Sequence, residues 1–151
     1  MGRVARSSLP DGYFHVFARG VAGGQIFRDD IDRSAFLRIL AFCERRQAWT
    51  CHAFCLLSTH YHLVVETTRK NLSAGYHRLN GRYARQFNQR HGLFGHVSAE
   101  RFSSRLIESE EYLFDACEYV LLNPVKAGLC DRIEDWPWSY SRFERGAGLT
   151  R

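Results

Sequence analysis

The sequence predicts an α+β protein in which an antiparallel sheet has its helices packed on it. Two β-rich runs, Trp49 to Leu57 and His60 to Thr67, are separated only by Ser58-Thr59, the spacing of two antiparallel strands joined by a tight turn. Segments with apolar residues at helical spacing alternate with strand-like runs in the order βαββαβα, followed by a short tail. The 151 residues suit one domain with one sizeable core, and no linker, repeat or low-complexity stretch divides residues 1–151.

Each element has its own signal. Tyr13 to Arg19 alternates after the turn residues Pro10-Asp11-Gly12 and forms the first strand, and a glycine-rich turn follows at Gly20 to Gly24. Asp29 and Asp30 offer N-caps to a helix ending near Arg46, with Phe36, Leu37, Leu40 and Cys43 on its apolar stripe. Asn71 is the expected cap of the second helix, which carries Leu72, Tyr76, Leu79, Tyr83 and Phe87 and ends near His91-Gly92. Phe102 to Ile107 predicts a fourth strand. Ser109 with Glu110 and Glu111 then opens a helix where the helix dipole favours acid, and Pro124 is expected to stop it at Asn123. In the tail, Trp136-Pro137-Trp138 predicts a packed aromatic anchor, whereas residues 145–151 are expected to be disordered.

Composition narrows the function. Hydrophobic residues make up 45% and charged residues 25%, the balance of a soluble globular chain rather than a disordered one. No apolar run reaches membrane-spanning length and the N-terminus lacks the apolar centre of a signal peptide, so a cytoplasmic location is expected. The five cysteines are odd in number and lie in apolar segments without Cys-x-x-Cys spacing, which predicts reduced core residues. Lys plus Arg number 21 against 16 acids, a net charge of +5, with Arg preferred over Lys. Guanidinium groups bind phosphate bidentately and stack on bases, so nucleic acid is the natural partner to test.

The chemistry begins at His60-Tyr61-His62. Side chains two apart on a strand share a face, so both imidazoles can bind one ion while Tyr61 points into or under the sheet. Tyr119 and Asn123 stand one helical turn apart and project together. A tyrosine hydroxyl beside a metal could attack a phosphodiester and keep the bond energy in a covalent phosphoprotein. Taken singly, each residue also has a packing explanation: Tyr112, Ala116 and Tyr119 could form a buried stripe, and Asn123 could cap its helix before Pro124. Arg78, Arg82 and Arg85 form a basic ridge on the second helix, flanked by His77 and Gln89, that is either a phosphate-binding face or a solvated one; Arg19, Arg101 and Arg105 are further candidates.

Read together and in order, His60 to Glu66 (His-Tyr-His-Leu-Val-Val-Glu) and Tyr119 to Leu129 (Tyr-Val-Leu-Leu-Asn-Pro-Val-Lys-Ala-Gly-Leu) resemble the single-tyrosine HUH transposases, in particular the REP-associated tyrosine transposases. Phe14 to Gly20, Ile26 to Asp30, Leu79 to Ala84 and Trp136 to Ser139 extend the likeness nearly end to end. The resemblance implies a ferredoxin-like HUH endonuclease fold, Tyr119 as nucleophile, and His60, His62 and Asn123 as ligands of Mg²⁺ or Mn²⁺. It further implies cleavage of single-stranded DNA near hairpins through a 5′-phosphotyrosine, a nucleoid-associated location, and an active unit that is a monomer or a homodimer, since the related transposases include both. Two segments depart from the family. Ser58-Thr59 replaces a usual Pro-Asn, and Ser98-Ala99-Glu100 replaces a usual aromatic-Gln pair and adds an acid. The second departure keeps open a domesticated hairpin-binding module that does not cut. A zinc hydrolase using His60, His62 and another histidine is a third reading, which would not need Tyr119.

Overall fold

The computed structural model describes residues 12–98 and 103–143. Five strands, β1 (Gly12–Arg19), β2 (Thr50–Leu56), β3 (His60–Thr67), β4 (Ser103–Ile107) and β5 (Ser139–Ser141), form one sheet. Its order is β4-β1-β3-β2-β5 and every pairing is antiparallel. Three helices, α1 (Asp30–Arg46), α2 (Arg69–His91) and α3 (Glu110–Lys126), cover the two faces. The predicted α+β class and βαββαβα order are present, with β5 added. Three residues of β5 carry too little alternation to announce a strand; Ala53, Phe54 and Cys55 of β2 supply the edge on which they pair.

The faces are chemically distinct because strand side chains alternate. Phe14, Val16 and Ala18 of β1, with Tyr61, Leu63 and Val65 of β3, meet Phe36, Leu40 and Cys43 of α1 and Leu72, Leu79 and Tyr83 of α2 in the larger core. On the opposite face Ala53, Cys55, Val64 and Ile107 pack against Leu113, Cys117 and Val120 of α3. That second face also carries Tyr13, His15, Phe17 and Arg19, whose register partners are Glu66, Val64, His62 and His60. A polar set in register with the α3 layer is the material of a site.

Local chemistry fixes the helix ends. Asp29 caps α1 by accepting from the Asp32 amide at 3.1 Å, and Ser109 caps α3 by accepting from Tyr112 at 3.1 Å. For α2 the cap is Thr68, which accepts from the Asn71 amide at 3.0 Å; the helix therefore starts one turn before the expected Asn71 cap. Threonine three residues upstream offers a hydroxyl oxygen as acceptor and leaves Asn71 inside the first turn. Gly92, at φ 66°, ends α2 in the left-handed conformation that glycine adopts without strain. Pro124 does not stop α3. The helix runs on to Lys126 despite the lost Pro124 N–H and the crowding of its ring on the preceding turn, with the turn after it closed by the Ala127 amide on Asn123 O at 2.9 Å.

The β2–β3 connection is the predicted tight turn, closed by the Leu57 amide on His60 O at 3.0 Å. Its tip is tied to the loop after β1: Ser58 O accepts from Ile26 and Phe27, and Thr59 O accepts from Gly20. Gly20 is required there, because a Cβ would collide with the Gly24 carbonyl as the chain doubles back. The tail anchors as expected. Trp136 donates its indole N–H to Leu56 O at 3.1 Å, Trp138 O accepts from Leu56, and Trp138 packs on the larger core. Cys43, Cys51, Cys55 and Cys117 are buried thiols outside any disulfide, whereas Cys130 is only half-buried. Residues 144–151, including the expected disordered end, lie outside the described residues, as do Ala99, Glu100 and Arg101. Among the described residues no helix is long and apolar enough to cross a membrane.

Candidate active site

A cavity of about 680 Å³ opens on the α3 face of the sheet, and His60, His62, Tyr119 and Asn123 all line it. The strand alternation argued from the sequence holds: His60 and His62 face this cavity with ring centroids 5.2 Å apart, while Tyr61 is buried on the other side and donates to Asn80 Oδ1 at 3.0 Å. Tyr119 is 43% exposed, so it is no core aromatic, and Tyr112 on the same stripe is exposed too. Its ring lies 6.0 Å from that of His62 in an edge-on arrangement. Lys126, two turns on, places its ammonium 5.0 Å from the Tyr119 ring centre.

Asn123 is buried at the cavity wall and donates Nδ2 to Tyr119 O at 3.0 Å. That bond fixes the amide, and no hydrogen bond among the described residues engages its Oδ1. The Asn123 carbonyl does close the end of α3, as a capping role required, but the side chain serves the cavity.

His15 was not among the residues singled out from the sequence. Its Nε2 shares a hydrogen bond of 2.9 Å with His62 Nδ1, and its ring lies 5.8 Å from that of Tyr119. The signal that could have found it is the period-two alternation that puts His15 and Arg19, with Tyr13 and Phe17, on the less buried face of β1. On its own that pattern is indistinguishable from a solvated strand face.

The electrostatics favour neutral imidazoles. Burial lowers His15 to about 4, helped by the Arg105 guanidinium, and lowers His62 to about 3, helped by His15, His60 and Arg19. His60 is lowered too, by burial and then by Arg19. A neutral ring has a lone pair to offer. His60 Nδ1 meets Thr59 Oγ1 at 3.1 Å and His62 Nδ1 meets His15, and no hydrogen bond among the described residues engages the Nε2 of either. Two Nε2 atoms and the Asn123 Oδ1 are thus the donors that could hold a divalent ion, with His15 orienting His62 from behind. The set contains no anion, so a bound phosphate would have to supply the negative oxygens that Mg²⁺ and Mn²⁺ prefer. Among the described residues no three His, Cys, Asp or Glu side chains are placed to share an ion, which leaves the zinc hydrolase without its third ligand.

The candidate arginines divide. Arg19 and Arg105 line the cavity, and His15 and Arg105 are register partners across β1 and β4. Arg78, Arg82 and Arg85 sit on α2, in the layer across the sheet. There the Arg78 and Arg82 guanidiniums lie 5.8 and 4.4 Å from the Phe42 ring centre, joined by Arg46 at 5.8 Å. From Arg69 to His91, α2 holds no acidic residue.

The fold is shared with a solved REP-associated tyrosine transposase. A solved structure described as a REP-associated tyrosine transposase bound to a REP hairpin superposes with a TM-score of 0.72 at 18% identity, covering 92% of this chain and 82% of that one. A second, "putative transposase" from Deinococcus radiodurans, matches with a TM-score of 0.53 at 15% identity over 79% of this chain and 95% of that one. In sequence the chain is similar to a curated Haemophilus influenzae protein named "Putative REP-associated tyrosine transposase", at 29% identity over 104 residues. The match takes in 62% of this chain and spans 58% of the length of that relative. No family model matches.

Proposed function

We propose that this protein cuts and rejoins single-stranded DNA beside a hairpin, with Tyr119 as the nucleophile. The observation that carries the reading is the exposed Tyr119 ring standing over the neutral His62 imidazole in one cavity, with Asn123 fixed one turn along the same helix. A Mg²⁺ or Mn²⁺ ion, when bound by His60, His62 and Asn123, would supply Lewis-acid polarisation of the scissile phosphate. The chain does the rest. Arg19 and Arg105 hold phosphate oxygens at the cavity walls. Tyr119 Oη forms a bond to phosphorus as the P–O3′ bond breaks, leaving a 5′-phosphotyrosine and a 3′-oxygen that takes up the proton the phenol releases. Attack of a 3′-hydroxyl on the phosphotyrosine reverses the step and reseals the strand.

The relative solved bound to a REP hairpin supports a hairpin as the DNA partner. Because the α2 arginines lie across the sheet from Tyr119, they would touch a part of that DNA other than the cut strand. Replacing Arg78 and Arg82 together by Gln should weaken hairpin binding and reduce the slope of log affinity against log salt by about 0.7 to 0.9 for each phosphate no longer neutralised, measured by fluorescence anisotropy. An unchanged slope would make that ridge a solvated face.

The direct test is incubation with a panel of single-stranded hairpins and Mn²⁺ or Mg²⁺, followed by a denaturing gel. A protein–DNA species that resists denaturation and is absent with chelator is the expected result. Tight hairpin binding without any such species would favour the non-cutting hairpin-binding module.

A further inference from the structure

We infer that a second cleft, beside the catalytic cavity at the end of β1, binds an unpaired base of the same DNA by stacking it on Phe94. The inference rests on the reading above that a DNA strand occupies the catalytic cavity. Phe94 is 97% exposed, the most exposed of the large hydrophobic residues among those described. An isolated exposed phenylalanine needs no explanation, but this one closes a cleft of about 510 Å³ whose apolar walls are Val21, Phe87 and Leu93. Val21 and Leu93 are themselves 45% and 40% exposed, so the apolar surface is continuous and open.

The segment that presents Phe94 is tied down on both sides. Asn88 Nδ2 donates to Gly95 O at 2.9 Å, the Leu93 amide donates to Asn88 O at 2.9 Å, and the Val21 amide donates to Val97 O at 3.0 Å. Gly20 and Ser98 form a β-bridge just beyond. The backbone that presents the ring is therefore already ordered, so less of the chain has to be fixed when a flat partner settles on it.

Charge selects the occupant. Among the described residues the cleft has no acidic lining residue, and Arg28, whose guanidinium lies over the Phe87 ring at 5.5 Å and which makes no ion pair among them, brings a permanent positive charge. Gln25 and His96 add polar edges able to reach a base or phosphate. A nucleotide, with a flat π-face and an anionic backbone, uses both kinds of wall. The position of the cleft agrees with this occupant: Arg19 lines the catalytic cavity and Val21, two residues on, lines the cleft. Their Cα atoms are at most about 7.6 Å apart, so the cavity and the cleft adjoin at the end of β1.

The test compares wild-type protein, Phe94→Ala and Phe94→Trp by fluorescence anisotropy in chelator, on a hairpin with single-stranded extensions and on the same hairpin with blunt ends. Losing one base stack should weaken binding of the extended hairpin about 5- to 150-fold in Phe94→Ala. Phe94→Trp should restore it, and the blunt hairpin should bind all three alike. Equal affinity of wild type and Phe94→Ala for the extended hairpin overturns the inference, as does equal weakening on both DNAs. A change in the sedimentation of Phe94→Ala alone, with DNA affinity intact, would assign the cleft to a second copy of the chain and overturn it too. Adduct formation separates this inference from the nuclease reading. Loss of extended-hairpin binding without adducts from wild type keeps the cleft and removes cleavage, whereas wild-type adduct yield and affinity in Phe94→Ala remove the cleft and keep cleavage.

Discussion

Tyr119→Phe should abolish the covalent protein–DNA species while leaving hairpin affinity within about twofold of wild type. The hydroxyl is the only group removed, and no hydrogen bond to its oxygen is formed among the described residues, so neither fold nor cavity depends on it. If Tyr119 Oη is the attacking atom, the rate of adduct formation should fall by roughly 10³-fold or more, the scale on which enzymes lose activity when the nucleophile is deleted. Affinity, which comes mostly from phosphate contacts, has no reason to follow. The check is a denaturing gel beside a binding titration on the same hairpin. Wild-type adduct yield from the phenylalanine variant would remove Tyr119 from the reaction. Tyr112, exposed in the same cavity, would then be the tyrosine to examine.

His62→Ala should lose metal-dependent cleavage by roughly 10² to 10³-fold, since Lewis-acid stabilisation of a phosphoryl transition state is worth several kcal/mol and each 1.4 kcal/mol is about a factor of ten. The effect should be larger than that of His15→Ala. His15 reaches the site only through its 2.9 Å bond to His62 Nδ1, and residues that orient a ligand from behind commonly change metal affinity by about 10- to 100-fold. Mn²⁺ titrations of cleavage and of direct metal binding should therefore rank wild type, His15→Ala and His62→Ala in that order. Equal activity of His62→Ala with wild type, or activity undiminished by chelator, would sink the metal role. Burial keeps both rings neutral, so neither substitution removes a charge that the fold depends on.

Much of this arrangement was legible in the chain. Period-two alternation placed His60 and His62 on one face and Tyr61 on the other, and the helical repeat set Tyr119 and Asn123 one turn apart. These are local rules of backbone geometry that hold wherever the element forms. Competition between neighbours was harder to read. Thr68 and Asn71 are both good caps, and only the packing of α2, where Gly75 lets Trp49 press against the helix and donate to Asn71 O, shows which turn comes first. Pro124 misled for a related reason, because the burial of Leu121 and Pro124 carries α3 past a residue that would end an isolated helix.

The basic ridge illustrates a different limit. Spacing grouped Arg78, Arg82 and Arg85 correctly on one helix, yet helical periodicity contains no information about which face of the sheet the helix covers. The structure puts Arg78 and Arg82 around Phe42, across the sheet from Arg19 and Arg105, so six arginines considered together from the sequence belong to at least two surfaces, with Arg101 outside the described residues.

What the sequence determined by itself about this protein is therefore much of what neighbours along the chain set: most of the elements, which side chains share a face within each, and the two pairs that the family likeness joined. The tertiary structure alone decided that those pairs share one cavity, that Tyr119 stands in solvent rather than in the core, and that His15, forty-seven residues from His62, completes the cluster. The physical reason is that strand register and helix placement are fixed by burying apolar faces across the whole sheet. A polar residue on the other side of an element comes to its partners only as a consequence of that burial.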